Sequence, residues 1–154
     1  MILSFKKKFR WIDPNGKFLN TNFEQKILER TKIHTIREDP TDRWKAGNKI
    51  NFVTGARSKN YNEFYLGECY SVQYISIRHS LMNGKKHIVV TVGDTPQDPK
   101  VLYNGARNNP TQHENVLQLA KNDGFDSIEN FFKFFRKDIF VHKLIHWTDF
   151  KYDV

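Results

Sequence analysis

Cysteine is almost missing from this chain of 154 residues: Cys69 stands alone, so no internal disulfide can form. That excludes a disulfide-stapled scaffold and suits a reducing, cytoplasmic compartment. Cys69 lies in the apolar run YLGECYSVQYISI, which supplies no positive environment for a reactive thiolate, so it reads as a small core residue. Long apolar runs are missing too. No stretch approaches the roughly 20 residues that cross a bilayer, and no membrane partner is expected. The opening MILSFKKKFRW places its short apolar part ahead of its charges, the reverse of a secretory leader. Hydrophobic residues are only 38% of the chain, and no repeat is visible. The turn-rich YNGARNNP at 103–110 lacks phosphate-loop spacing and reads as loop. No pattern calls for a metal or an organic cofactor.

Rings are plentiful instead. Aromatic residues make up 14% of the chain and Phe alone occurs 13 times, so much of the core must be built from rings. The length fits a single domain over 1–154. Lys and Arg number 25 against 17 Asp and Glu, a formal charge of +8 with an isoelectric point near 9.6. A field of that sign favours polyanionic partners. Lys6, Lys7, Lys8 and Arg10 form a basic run beside Phe9 and Trp11, which suits either a solvated strand end or a phosphate-contacting patch.

Periodicity gives the order of elements. MILSF reads as a strand, DPNGK at 13–17 as a turn, and residues 22–31 as a helix with Asn22 as cap. KINFVTGA is a strand, 57–63 a polar loop, and FYLGECYSVQYISIRHS one long or bent strand with Gly67 as a possible bulge. NGKK at 83–86 marks a hairpin and HIVVTVG its returning strand. The proline-bearing stretch that follows reads mostly as loop. A helix is expected over 112–122 with Thr111 as cap, ended by Gly124. A second opens at a capping box with Asp126 as cap and places Ile128, Phe131, Phe132 and Phe135 on a core face. IFVHKLIHW is the last strand. The class is α+β with a mainly antiparallel sheet that can close into a small barrel.

The densest polar stretch is KIHTIREDPTDRWKAGN at 32–48. In an extended segment Thr35 and Arg37 point to one side, so Lys32 must sit in the turn ahead of the strand to join them. Two uses fit such a group. Lys32 and Arg37 can bind a phosphate with Thr35 as a further donor. Alternatively an amine can take the proton of a nearby hydroxyl, provided burial or the Arg37 charge lowers the lysine pKa.

This Lys-x-x-Thr-x-Arg segment, followed by Trp44 and AGN and later by LAKNDGFDSIENFFKFF at 119–135, resembles the ASCH family. The resemblance covers about residues 1–150 and implies a PUA-like β-barrel with a cleft that binds RNA, a nucleotide or a nucleoside. One bacterial branch removes the acetyl group from acetylated cytidine nucleosides with a Lys, a Thr and a Glu. Lys32 and Thr35 match the first two, and the third falls on Asp123, one methylene shorter; the resemblance thus implies Thr35 as nucleophile, Lys32 as its base and Asp123 as the orienting carboxylate. Residues 55–63 and 93–111 are loops beyond that branch.

Asp123 is also unusual by itself, because a carboxylate in the last turn of a helix opposes the macrodipole, at a cost of roughly 0.3–1 kcal/mol. Solvation at a helix end is its plain alternative. Trp44 suits a base-stacking platform or a core anchor, and His34 either touches the ligand or finds a structural partner. His142 and His146 on a strand stand about 13 Å apart, too far for one metal. The sequence thus points first to a binding module using Lys32, Thr35, Arg37, Trp44 and His34. It points second to an amidohydrolase using Lys32, Thr35 and Asp123, and third to an interaction domain in which the motif braces a turn.

Overall fold

Alternation along the strands decides which way each one faces. In β7 (Ser71–Met82), Gln73, Ile75 and Ile77 are buried and their neighbours are not. The computed structural model describes Met1–Val154. Its main sheet has five antiparallel strands in the order β4 (His34–Arg37), β10 (Ile139–His146), β7, β8 (Lys85–Gly93), β9 (Lys100–Asn104). A second sheet joins β1 (Ile2–Phe5), β5 (Lys49–Thr54) and β6 (Asn62–Glu68), with β1 parallel to β5. β2 (Lys8–Ile12) and β3 (Phe18–Asn20) form a separate hairpin. Three helices complete the α+β architecture: α1 (Phe23–Leu28), α2 (Pro110–Asn122) and α3 (Ile128–Phe134).

The strands do not close into the expected barrel; they hydrogen-bond in three sheets. At Cys69-Tyr70 the stretch expected to be one long or bent strand divides into β6 and β7. The Cys69 amide donates to Asn48 O, while the next amide, Tyr70, donates to His146 O beside the main sheet. The chain thus switches sheets at one corner. Gly67 serves packing there, since a Cβ would stand 2.8 Å from the Phe52 ring. The register shift instead falls between Phe52 and Val53.

Local details also differ from the sequence expectations. β9 lies inside the stretch expected to be loop, where pairing with β8 outweighs the neighbouring turn residues. α1 spans only 23–28, and Asn22 ahead of it is left-handed with no side-chain cap bond. α2 starts at Pro110, which needs no amide partner at that position, and Asn109 rather than Thr111 caps it by accepting from Gln112 N. Ser127, not Asp126, caps α3 by accepting from Asn130 N. The Asp126 carboxylate pairs with Lys26 instead.

The core is made of rings, as the composition demands. Phe5 stacks on Phe52 at 6.0 Å and meets Trp147 edge-on at 6.2 Å. Phe125 packs edge-on against Phe23 and Phe131. Cys69 is fully buried, and burial pushes its thiol up to about 11. No helix is long and apolar enough to cross a membrane.

Candidate functional site

Lys32 stands in the turn between α1 and β4, where its side chain escapes the parity of the strand. It is 2% exposed, and its stem runs beneath the junction of α2 and α3. Gly124 makes that path possible. Its φ of 91° requires the left-handed region, and a Cβ would stand 2.8 Å from Lys32 Cδ. The helix-ending glycine is therefore also the gap through which the lysine passes.

Asp123, the residue that closes α2, is 2% exposed rather than solvated. Its carboxylate reaches Lys32 Nζ at 2.9 Å despite the shorter side chain. Lys32 Nζ also donates to Asp123 O and to His34 O at 3.0 Å. All three ammonium hydrogens are thereby engaged. Burial works against the charge and brings the Lys32 pKa down to about 8, although Asp123 pulls it back up. Burial alone would raise the Asp123 carboxyl, but the Lys32 charge and His34 outweigh it, and it lies below its ordinary range.

Behind the pair runs a line of buried polar groups. His34 Nδ1 lies 3.6 Å from Asp123 Oδ1, beyond hydrogen-bond length, and His34 Nε2 lies 2.8 Å from the Tyr152 hydroxyl. An ionised Asp123 favours the imidazole proton on Nδ1, so Nε2 accepts from the phenol. The phenol in turn accepts from Asn122 Nδ2 at 3.2 Å. Burial lowers the His34 pKa and raises that of Tyr152, so both are neutral. His146 packs against His34 with its ring centroid 5.3 Å away, and neither of its nitrogens has a partner. Burial brings its pKa down to about 3.

Thr35 and Arg37 share one side of β4 and line a single cavity with Lys32 and Asp123, of about 90 Å³. Phe5, Phe23, Phe125, Phe134 and Phe135 provide its apolar walls. Arg37 Nη2 donates to Ser4 O at 2.6 Å and the guanidinium lies over the Phe5 ring, while Nε is buried without a partner. Two cations against one carboxylate leave the cavity net positive. Lys6 stands at its rim and also lines two larger surface hollows, one with Lys7 and Thr21, the other with Lys7 and Lys8. Glu24 and Glu29 balance the charge of the first, so the small cavity opens beside one basic hollow, that of Lys6, Lys7 and Lys8.

Lys32, Thr35, Arg37 and Asp123 are brought together. Trp44 is not; it is 5% exposed in the core, and its carbonyl accepts from Lys143 at 2.9 Å. Burial there leaves no ring face open for stacking. His34 stands behind Asp123, fully buried, and does not line the cavity. His142 and His146 are both on β10. Tyr152 and Asn122 carried no signal of spacing in the sequence, and the spacing of Phe135 pointed only to a core face. Comparison of the chain with protein-family models, with curated proteins and with solved structures gives no match.

Proposed function

We propose that this chain is an ASCH-type module, PUA-like in plan though open rather than closed, that binds a nucleotide or an RNA strand through the Lys32–Arg37 cavity. The observation that carries this reading is Arg37 Nε, a buried donor without a partner in a net-positive cavity. Leaving such a donor unmade costs roughly 1–3 kcal/mol, so it calls for an acceptor from outside. At about 90 Å³ the cavity admits one phosphate or one polar edge rather than a whole nucleotide, whose remainder would lie in the hollow of Lys6, Lys7 and Lys8. The test is titration of short single-stranded RNA and of nucleoside monophosphates at two salt concentrations. Affinity should fall with salt as counterions are released, and Arg37→Gln should weaken it roughly tenfold or more. Affinity indifferent to both salt and Arg37 sinks the reading.

One observation favours a second reading, an amidohydrolase acting on an acetylated cytidine nucleoside: burial brings Lys32 to about 8 beside Thr35 in the same cavity. As a neutral amine Lys32 donates only two hydrogen bonds, and its lone pair would accept the Thr35 proton as Oγ attacks the acetyl carbonyl. The C–N bond then breaks, the nucleoside nitrogen takes that proton, and water cleaves the acyl-threonine to acetate. Release of cytidine from acetylated cytidine, rising as pH passes through 8, tests it. Turnover no greater than that of a Thr35→Ala control removes it.

A further inference from the structure

A second hollow, away from the Lys32 cavity, has the components of a base-stacking site. Tyr65 from β6, Tyr70 from the corner between β6 and β7, and Trp147 at the end of β10 converge on it. Its volume is about 400 Å³, within the ordinary range for small-ligand sites of about 300–1,000 Å³. Tyr65 is 40% and Tyr70 62% exposed. Single exposed rings are ordinary, but three converging from separate elements form a patch. Two of its walls are fixed in advance by the core. Phe52 holds Trp147 edge-on at 5.0 Å and Tyr65 at 5.3 Å, and Phe5 meets Trp147 at 6.2 Å. Rings already held lose little freedom when a ligand stacks on them.

The rim supplies polar edges. Arg30, Thr148 and Asp149 line the same hollow, and no ion pair of the molecule engages Arg30 or Asp149. Arg30 has φ 62°, so the chain turns sharply after α1 to bring it here. Stacking faces beside a free guanidinium, a hydroxyl and a carboxylate match a planar heterocycle with donors and acceptors on its edge. The charge of +8 draws such a heterocycle when it is carried on phosphate. An aromatic groove can also take a proline-rich peptide, but the basic surface favours the polyanion.

We propose that the Tyr65–Tyr70–Trp147 hollow is a binding subsite for an unpaired nucleobase of a single-stranded nucleic acid. It stands independently of the Lys32 cavity. The experiment compares a labelled single-stranded hexanucleotide with an abasic strand of the same length and charge, by fluorescence anisotropy at fixed salt. The wild-type chain binds the base-bearing strand roughly tenfold more tightly, as expected for stacking of one base. Tyr70→Ala removes that preference, and its exposed position spares the fold. Arg30→Asn, whose new residue tolerates the left-handed backbone, reduces the preference in part. Arg37→Gln, which tests the other cavity, weakens both strands alike and leaves their ratio unchanged, so the two proposals fail separately. Competition by a nucleoside monophosphate at the strand's own affinity assigns the site to free nucleotides and overturns the single-strand reading. Equal affinity for the two strands, a preference untouched by Tyr70→Ala, or Tyr70-dependent capture of a proline-rich peptide in place of the strand overturns it as well.

Discussion

Two lysines are buried close to the same pair of strands, Lys32 just ahead of β4 and Lys143 on its neighbour β10. Each is about as inaccessible as the other, at 2% and 3% exposed, and each meets aspartate. Their environments then diverge. Lys143 has two carboxylates, Asp39 at 2.8 Å and Asp42 at 2.5 Å, with Trp44 O as a third acceptor. Burial opposes its charge, but the two aspartates prevail and its pKa is raised. Lys32 has one carboxylate, lines a cavity, and is brought down to about 8. A second carboxylate thus turns a buried ammonium into a fixed brace for the loop at 38–48. A single carboxylate and an open wall leave it able to change its protonation state.

The largest expected effect comes from breaking the brace. Lys143→Met leaves Asp39, whose side chain is 1% exposed, holding a charge with only the Arg43 and Trp44 amides for support. Removing one partner of a buried pair costs roughly 3–5 kcal/mol. Denaturant unfolding should show a loss of that size, and a loss under about 1 kcal/mol would mean that Lys143 is solvated and the contrast false.

Acid separates the two neighbourhoods next. His34 and His146 stand behind Lys32 and face Asp123, Tyr152 and each other, whereas the brace around Lys143 contains no imidazole. With a folded pKa near 3 against an ordinary 6.5, His146 contributes stability that is full above pH 6.5 and is lost as pH falls toward 3. His34 acts in the same direction. From pH 6.5 to 4 the His146 share is roughly 3 kcal/mol. The depressed aspartates keep their contribution above their ordinary 3.8 and lose it mainly below that value. Thermal unfolding at pH 6.5 and pH 4 should show the loss, and His146→Phe should remove most of it.

How much of this contrast the sequence displays depends on which signals are local. Thr35 and Arg37 follow strand parity, and the placement of Lys32 follows from that parity. Asp123 betrays itself by standing where a helix end disfavours it. The Asn83-Gly84 hairpin was equally legible, and both residues have positive φ. The brace was not, because Asp39 and Asp42 beside Pro40 read as ordinary turn residues and Lys143 as a polar member of a strand. Nothing nearby along the chain links His34 to Tyr152 either; they meet only because the C-terminal segment returns to Gln73, whose side chain exchanges hydrogen bonds with the Tyr152 backbone. Trp44 reads alike as platform or anchor until burial decides. The strands alone do not reveal that the chain changes sheets at Cys69, since that depends on which amide finds which partner.

Alkaline titration gives a smaller effect. Folding lowers the Lys32 pKa from 10.5 to about 8, so the unfolded chain holds more protons in that interval and stability rises with pH through it. Between pH 8 and 9 the gain is about 1 kcal/mol. The raised thiol of Cys69, ordinarily at 9.0, offsets about a third of that Lys32 gain over the same interval and nearly cancels it above 9, which sets the upper bound of the experiment. Lys143, raised above 10.5, contributes nothing in this range. A wild-type curve that stays flat from pH 8 to 9 would put Lys32 with Lys143 as a second brace.

The smallest expected change in stability is the most informative. Lys32→Met with Asp123→Leu removes both members of the pair together, leaving no orphaned charge among Phe5, Phe23 and Phe125. Replacing a buried ion pair by apolar groups of similar volume is often stabilising, by roughly 1–4 kcal/mol, which offsets the roughly 1–3 kcal/mol cost of taking the ammonium from Asp123 O and His34 O, so unfolding should stay within about 1 kcal/mol of wild type. The same variant strips the cavity of its ammonium and its carboxylate, and affinity for short RNA or nucleotide should fall roughly tenfold or more. Stability kept and affinity lost means the pair is maintained for a ligand rather than for the fold. Stability lost along with affinity would make Lys32–Asp123 a structural brace like Lys143–Asp39, and the cavity beside it would then be incidental to packing.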